Sequence, residues 1–301
     1  MLVRARDESG GEQLCVEKVF RPGWLTRAIY RCAYQAPFAY QNCEDAVLAS
    51  FYRRRVAARL VDVLVTGARV AVPLYVRWDR SARAYVLGSE LIRGRGIRPA
   101  PADPYHLRRE LPAALGAAQH HRPAPDEIHE LLRVMHRLES LLRDCGLVGS
   151  GWQVSQAALV STANLLRTKS GYVVVDLESG IPAMLVPYYL AAGRRLRSFP
   201  LFDDIEPRKL RAFIEQHWPK LQARLGRTGF AQLSDDVEAL IQHTALRKQA
   251  DIAVGRRGAS LLSRTFRKAY RRSCIDIWQR NGIIDNETAE RLRLSSRLWS
   301  R

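Results

Sequence analysis

The stretch Asn164–Pro182, NLLRTKSGYVVVDLESGIP, decides how the rest of the chain is read. It predicts two short strands around a turn. The first is Asn164-Leu165-Leu166-Arg167-Thr168, and the turn is Lys169-Ser170-Gly171, where glycine takes positive φ at no steric cost. The second, Tyr172-Val173-Val174-Val175, is apolar and β-branched enough to be buried on both faces. It delivers two carboxylates, Asp176 and Glu178, into a Ser-Gly-Ile-Pro turn. An Asn before one strand and an acid at the end of the next can meet, and oxygen ligands at a strand end suit Mg²⁺ and phosphates. The plainer alternative is a surface hairpin whose acids cap a turn.

Composition narrows the function classes. The 301 residues are 47% hydrophobic and 26% charged, a globular balance that suits one large domain or two lobes. The five cysteines are odd in number, scattered and without a C-x-x-C pair, which argues against a disulfide framework or zinc site and for a reducing, cytoplasmic compartment. The opening MLVRARDESGGEQ has no apolar core of a secretory signal, and no run of about 18 apolar residues predicts a membrane span. The formal charge is +18, and residues 247–301 hold 14 Lys/Arg against 5 Asp/Glu, half the surplus. Such a surplus favours anionic partners: nucleotide, nucleic acid or the inner membrane face. Arg greatly outnumbers Lys, so an Arg-rich proteome is the competing explanation.

Working outward, residues 2–6 and 13–20 flank Asp7–Gly11 as a hairpin, with Lys18 between apolar neighbours as edge decoration or as an inward cation for a phosphate. A helix with Glu44 and Asp45 in its first turn is predicted from Asn42 or Cys43 to about Val65, with Arg53-Arg54-Arg55 and Arg59 on a solvated basic face. Strands follow over 70–78 and 84–92, and Pro99, Pro101 and Pro104 mark a boundary. Helices are then predicted over 106–119, from Asp126 to about Asp144, from Glu206-Pro207 to about Leu225 with a break or kink at Pro219, and to about Gln249 behind a Ser234-Asp235-Asp236 cap. His120-His121 lacks the i, i+4 spacing of a helical metal pair and reads as loop. Two basic helices, 260–280 and 287–298, close the chain.

The order of these elements, with Asn164 and Asp176 on a hairpin, resembles the protein-kinase-like superfamily, in particular its divergent bacterial branch of lipopolysaccharide and aminoglycoside kinases. The resemblance covers about residues 1–245. It implies an α+β, two-lobed fold: residues 1–98 as a small antiparallel sheet lobe with one long helix, 99–245 as a mostly helical lobe carrying the hairpin, and 246–301 as a basic helical tail. It implies ATP and Mg²⁺ as cofactors, with Lys18 on the phosphates, Glu44 as its helix-borne ion-pair partner, Glu90–Gly94 as the hinge, and Asn164 and Asp176 as metal ligands. The family's catalytic Asp falls five residues before the loop Asn, where this chain has Leu159, and no Asp or Glu occurs from Cys145 through Asn164. Glu178 is the substitute candidate for base or ligand. The resemblance therefore implies a phosphotransferase with an unknown phosphate acceptor, or a pseudokinase. The alternative is a non-enzymatic protein whose segment 256–301, basic and aromatic over 256–280, sits on an anionic membrane, with nucleic acid a weaker option.

Overall fold

A computed structural model describes residues 2–6, 12–21, 24, 44–97, 120–121, 125–155, 164–177 and 205–250, together with 272, 275–276, 278–279, 282 and 284–294. The fold is mixed α+β: an antiparallel sheet with a helix, a second sheet of mixed direction, then helices.

The first sheet has the order β1-β2-β5-β4, all antiparallel, from β1 (Leu2–Arg6), β2 (Glu12–Val19), β4 (Pro73–Asp79) and β5 (Ala84–Glu90). Both expected hairpins are present, with Leu2 opposite Val16 and Trp78 opposite Tyr85. Gly88 lies under the Tyr75 ring, where a Cβ would meet the ring at 2.4 Å.

Of the second sheet, the sequence predicts the central hairpin, which is present with Leu165 opposite Val174, but not the sheet around it. Its order is β3-β9-β8-β6-β7, formed by β3 (Ala68–Val70), β6 (Arg95–Ile97), β7 (His120–His121), β8 (Leu165–Thr168) and β9 (Gly171–Val174). The strand expected over 70–78 is split between the two sheets. Ala71 N–H still donates to Val174 O (2.8 Å), whereas Glu90 N–H donates to Val72 O (3.0 Å) and Pro73 already faces Ser89. Proline has no N–H for a ladder, so a change of partner just before it costs no further bond. The described residues of the stretch expected to be mostly helical are so, but it also contributes β7, β8 and β9 to this sheet, and His120-His121 forms a short strand parallel to β6 rather than a loop.

The opening hairpin is the centre of this sheet, not a surface feature. Leu165, Val173 and Val174 are at most 1% exposed. Gly171 has φ +125°, and a Cβ there would come within 2.3 Å of Gly67 O, the atom that accepts the Tyr172 N–H. Glycine is required by close approach of backbone as well as by the turn.

Helix α1 (Glu44–Leu64) and helix α2 (Pro125–Asp144) agree with expectation within two residues. Leu131, Met135, Leu138 and Leu142 of α2 join Val56 and Leu60 of α1, Leu165 and Val174 in one core. Fully burying each such side chain contributes about 2 kcal/mol. Helix α3 (Pro207–Gln216) ends at His217, and Pro219 lies in the first turn of α4 (Trp218–Ala250), where a missing N–H is tolerated. Gly226 (φ +71°) kinks α4 one residue after the expected end at Leu225. The expected cap at 234–236 does not form. Ser234 Oγ donates back to Phe230 O (3.2 Å), and Asp236 points across to α1.

The basic face of α1 is corrected too. Arg53 and Arg54 are 1% and 3% exposed, Arg54 Nε donates to Ala71 O (2.7 Å), and Arg55 and Arg59 both bind the buried Asp236. The expected boundary prolines, the helix over 106–119 and most of 260–280 lie outside the described residues. The described part of the C-terminal segment includes the buried Ile275, and Arg293 of α5 (Asn286–Leu294) donates to Asp276 (2.5 Å). No described helix is long and apolar enough to cross a membrane.

Candidate functional site

Side chains alternate along β2, so Glu17 and Lys18 leave opposite faces of the first sheet. Lys18, opposite Leu87 of β5, extends its Nζ to Asp176 Oδ2 at 2.7 Å. The ammonium also lies 5.7 Å from the centre of the Phe20 ring, within cation–π range. Asp176 is two residues past the end of β9, so this ion pair ties the first sheet to the second. Lys18 and Asp176 are 41% and 35% exposed, leaving the pair open to solvent.

Asn164 is placed beside Asp176 by the hairpin register: Leu165 faces Val174, and Val175 N–H donates to Asn164 O (2.8 Å). The Asn164 side chain is buried, and its Nδ2 donates to Gln153 O (3.1 Å) and to Gln153 Oε1. Gln153 ends a 3₁₀ helix (Val148–Gln153) that follows α2. With its nitrogen held in this way, the amide presents its oxygen as the remaining ligand atom.

The other expected site residues are placed differently. Glu90 accepts Arg69 Nη1 (2.6 Å) and the Val72 N–H (2.8 Å) at Oε1, clamping the point where the chain changes sheets. Residues 91–94 then carry the chain from β5 to β6. Glu44 is exposed at the start of α1, and the carboxylate paired with Lys18 is that of Asp176 instead. Its neighbour Asp45 is 3.0 Å from His243 Nδ1, and the His243 ring stacks on Tyr52 (5.6 Å), so the first turns of α1 are fastened to α4. Glu178 and Leu159 lie outside the described residues.

Sequence reasoning missed Gln153, for which no local signal exists, because its partner is eleven residues on. It also missed Glu17, which is signalled by the strand period. Glu17 is 4% exposed and binds Arg77 through both carboxylate oxygens (2.9 Å each) and the Tyr75 hydroxyl (2.8 Å).

By donor type, the Asp176 carboxylate and the Asn164 amide oxygen would suit a hard cation, since Mg²⁺ is commonly held by one or two carboxylates with water and phosphate oxygens completing the shell. Among the described residues no group of three or more His, Cys, Asp or Glu could hold a metal by itself. A cavity of about 450 Å³ opens elsewhere, between Thr66-Gly67 and the first turns of α2. Its walls mix Asp126, Glu127 and Glu130 with Arg133 and Arg137, and Glu130 is 3.5 Å from Arg167. Neither Lys18 nor Asp176 lines it.

Compared with protein-family models, curated proteins and solved structures, the chain matches none of them.

Proposed function

We propose that the chain is a kinase-like nucleotide-binding protein that holds Mg²⁺-ATP between Lys18 on one side and Asp176 and Asn164 on the other. The observation that carries this reading is the Lys18–Asp176 contact, which brings together residues 158 apart in sequence at the meeting of the two sheets. A cation for phosphates beside oxygen donors for a metal is the minimum equipment of phosphoryl transfer. Val16, 38% exposed and two residues before Lys18 on the same sheet face, supports the reading by offering an apolar surface for a base.

In this reading Lys18 neutralises phosphate charge and orients the phosphates, while Asn164, pinned by Gln153, presents an oxygen whose position is preset. Bound Mg²⁺ would supply charge neutralisation across the phosphates. No residue from Cys145 through Asn164 supplies a general base. General-base help is worth about 10²–10⁴-fold, so the protein is a slow phosphotransferase of small-molecule or lipopolysaccharide-kinase type, or a pseudokinase that binds without transfer.

Thermal unfolding tests the reading. Millimolar Mg²⁺-ATP should raise the melting temperature by a few degrees, because a ligand that binds only the folded state stabilises it by mass action. Lys18→Ala and Asp176→Ala should each abolish the rise. An unchanged wild-type melting temperature would sink the nucleotide site.

A further inference from the structure

We propose that Lys18 is an internal counter-ion that occupies Asp176 and keeps a divalent cation off it until an anionic phosphate draws the lysine away. The second half of this proposal rests on the nucleotide reading above. The first half rests only on the contact itself.

Asp176 Oδ2 is 2.7 Å from Lys18 Nζ. An ion bound to that carboxylate at the usual Mg²⁺–oxygen distance of about 2.1 Å would stand close to the ammonium, against like-charge repulsion. Metal binding at Oδ2 therefore requires the lysine to move from that oxygen. Both side chains are more than a third exposed, so opening the pair meets only the modest cost of a solvent-screened ion pair. A competitor of that strength lowers metal affinity by about fivefold rather than abolishing it. The Lys18 ammonium also lies 5.7 Å from the centre of the Phe20 ring, a second attraction that the leaving head group must give up.

A nucleotide changes the balance at both ends. Its phosphates provide the anion that Lys18 loses on leaving Asp176, and the freed carboxylate takes the metal. Each ligand then removes an obstacle to the other, and linkage makes the coupling reciprocal: the factor by which nucleotide raises metal affinity equals the factor by which metal raises nucleotide affinity.

The test uses Mn²⁺ as the probe, following the free ion by electron paramagnetic resonance at about 0.1 M salt. Wild type, Lys18→Met, Lys18→Gln and Asp176→Asn are titrated with Mn²⁺ alone, then with a non-hydrolysable ATP analogue present. Both Lys18 variants should bind Mn²⁺ alone about fivefold more tightly than wild type. Asp176→Asn should lose that binding. The analogue should tighten Mn²⁺ binding by a larger factor in wild type than in either Lys18 variant. Wild-type Mn²⁺ affinity in both Lys18 variants, or Mn²⁺ binding that survives Asp176→Asn, would overturn the proposal. Failure of the wild type to bind the analogue at any Mn²⁺ concentration removes the nucleotide reading and the coupling, while the Mn²⁺-only comparison still decides the counter-ion. Melting temperatures of the Lys18 variants within a few degrees of wild type verify that folded proteins are being compared.

Discussion

Glu17 and Lys18 are neighbours on β2 with opposite surroundings. Lys18 reaches solvent and Asp176, whereas Glu17 is buried beneath Tyr75 and Arg77. The Arg77 guanidinium holds the Glu17 carboxyl below its ordinary value of 4.5, against the upward push of burial, and the Tyr75 hydroxyl bond adds to the lowering. Burial raises the Tyr75 hydroxyl, helped by its bonds with Cys15 and Glu17. A carboxyl depressed in the folded state contributes stability that is complete above its unfolded value and is lost as pH falls through its folded value. Wild type should therefore lose stability more steeply than Glu17→Gln as pH drops below about 4.5. At pH 7 the variant should be about 1–2 kcal/mol less stable, a range that allows for solvent screening at the partly exposed Arg77. Urea midpoints from pH 3 to 7 measure both, and parallel profiles would contradict this assignment. The alternation that separates Glu17 from Lys18 was readable in VEKVF. The arginine that makes Glu17 a buried anion was not, because it comes from a strand 60 residues away.

Among the elements, α1 and α4 give the clearest view of what sequence periodicity conveys. The three- and four-residue spacing of Val47, Leu48, Phe51, Val56 and Leu60 located α1 to within two residues. Periodicity did not reveal that the arginine face would also be covered. Arg55 and Arg59 are shielded because Asp236, 181 residues after Arg55, enters between them. A local pattern has no access to such a partner, and it takes a run of arginines for a solvated face. The same limit explains the divided strand at Ala71-Val72, where β-propensity continues and only the pairing partner changes. Two acids on α4 test the energetic side. Asp236→Ala leaves two guanidiniums without their carboxylate and should cost about 3 kcal/mol. Glu238 pairs with Arg211 at the surface (2.8 Å, 60% exposed), and Glu238→Ala should cost less than about 1 kcal/mol. Equal losses in urea unfolding would show that Asp236 does not bear the α1–α4 contact.

At the scale of the molecule, the described residues join the two sheets through the Lys18–Asp176 pair and the Glu90 clamp with Arg69 and Val72, while Arg54 of α1 binds Ala71 O where the chain leaves β9. The antiparallel sheet was legible because its strands are adjacent in sequence or bracket a helix. The mixed sheet was not, because three-residue strands such as β3 and β6 carry too little pattern to be distinguished from loop, and their partners lie far along the chain. Of the candidate site, Lys18, Asn164 and Asp176 were named from strand ends and element order; the ion pair joins Lys18 to Asp176, and the hairpin register sets the Asn164 backbone against Val175, next to Asp176. Glu44 and Glu90 were named from the same order, but their contacts are not with Lys18: the first is exposed, and the second holds the sheet junction. The proposed nucleotide grip at Lys18 and Asp176 is open to direct measurement. Isothermal titration of the full chain with ATP, in Mg²⁺ and in chelator, tests it most directly. Saturable binding near one equivalent that needs the metal and is lost in Asp176→Ala is the expected result. Absence of binding heat at millimolar ATP, or binding unaffected by both chelator and Asp176→Ala, would contradict it.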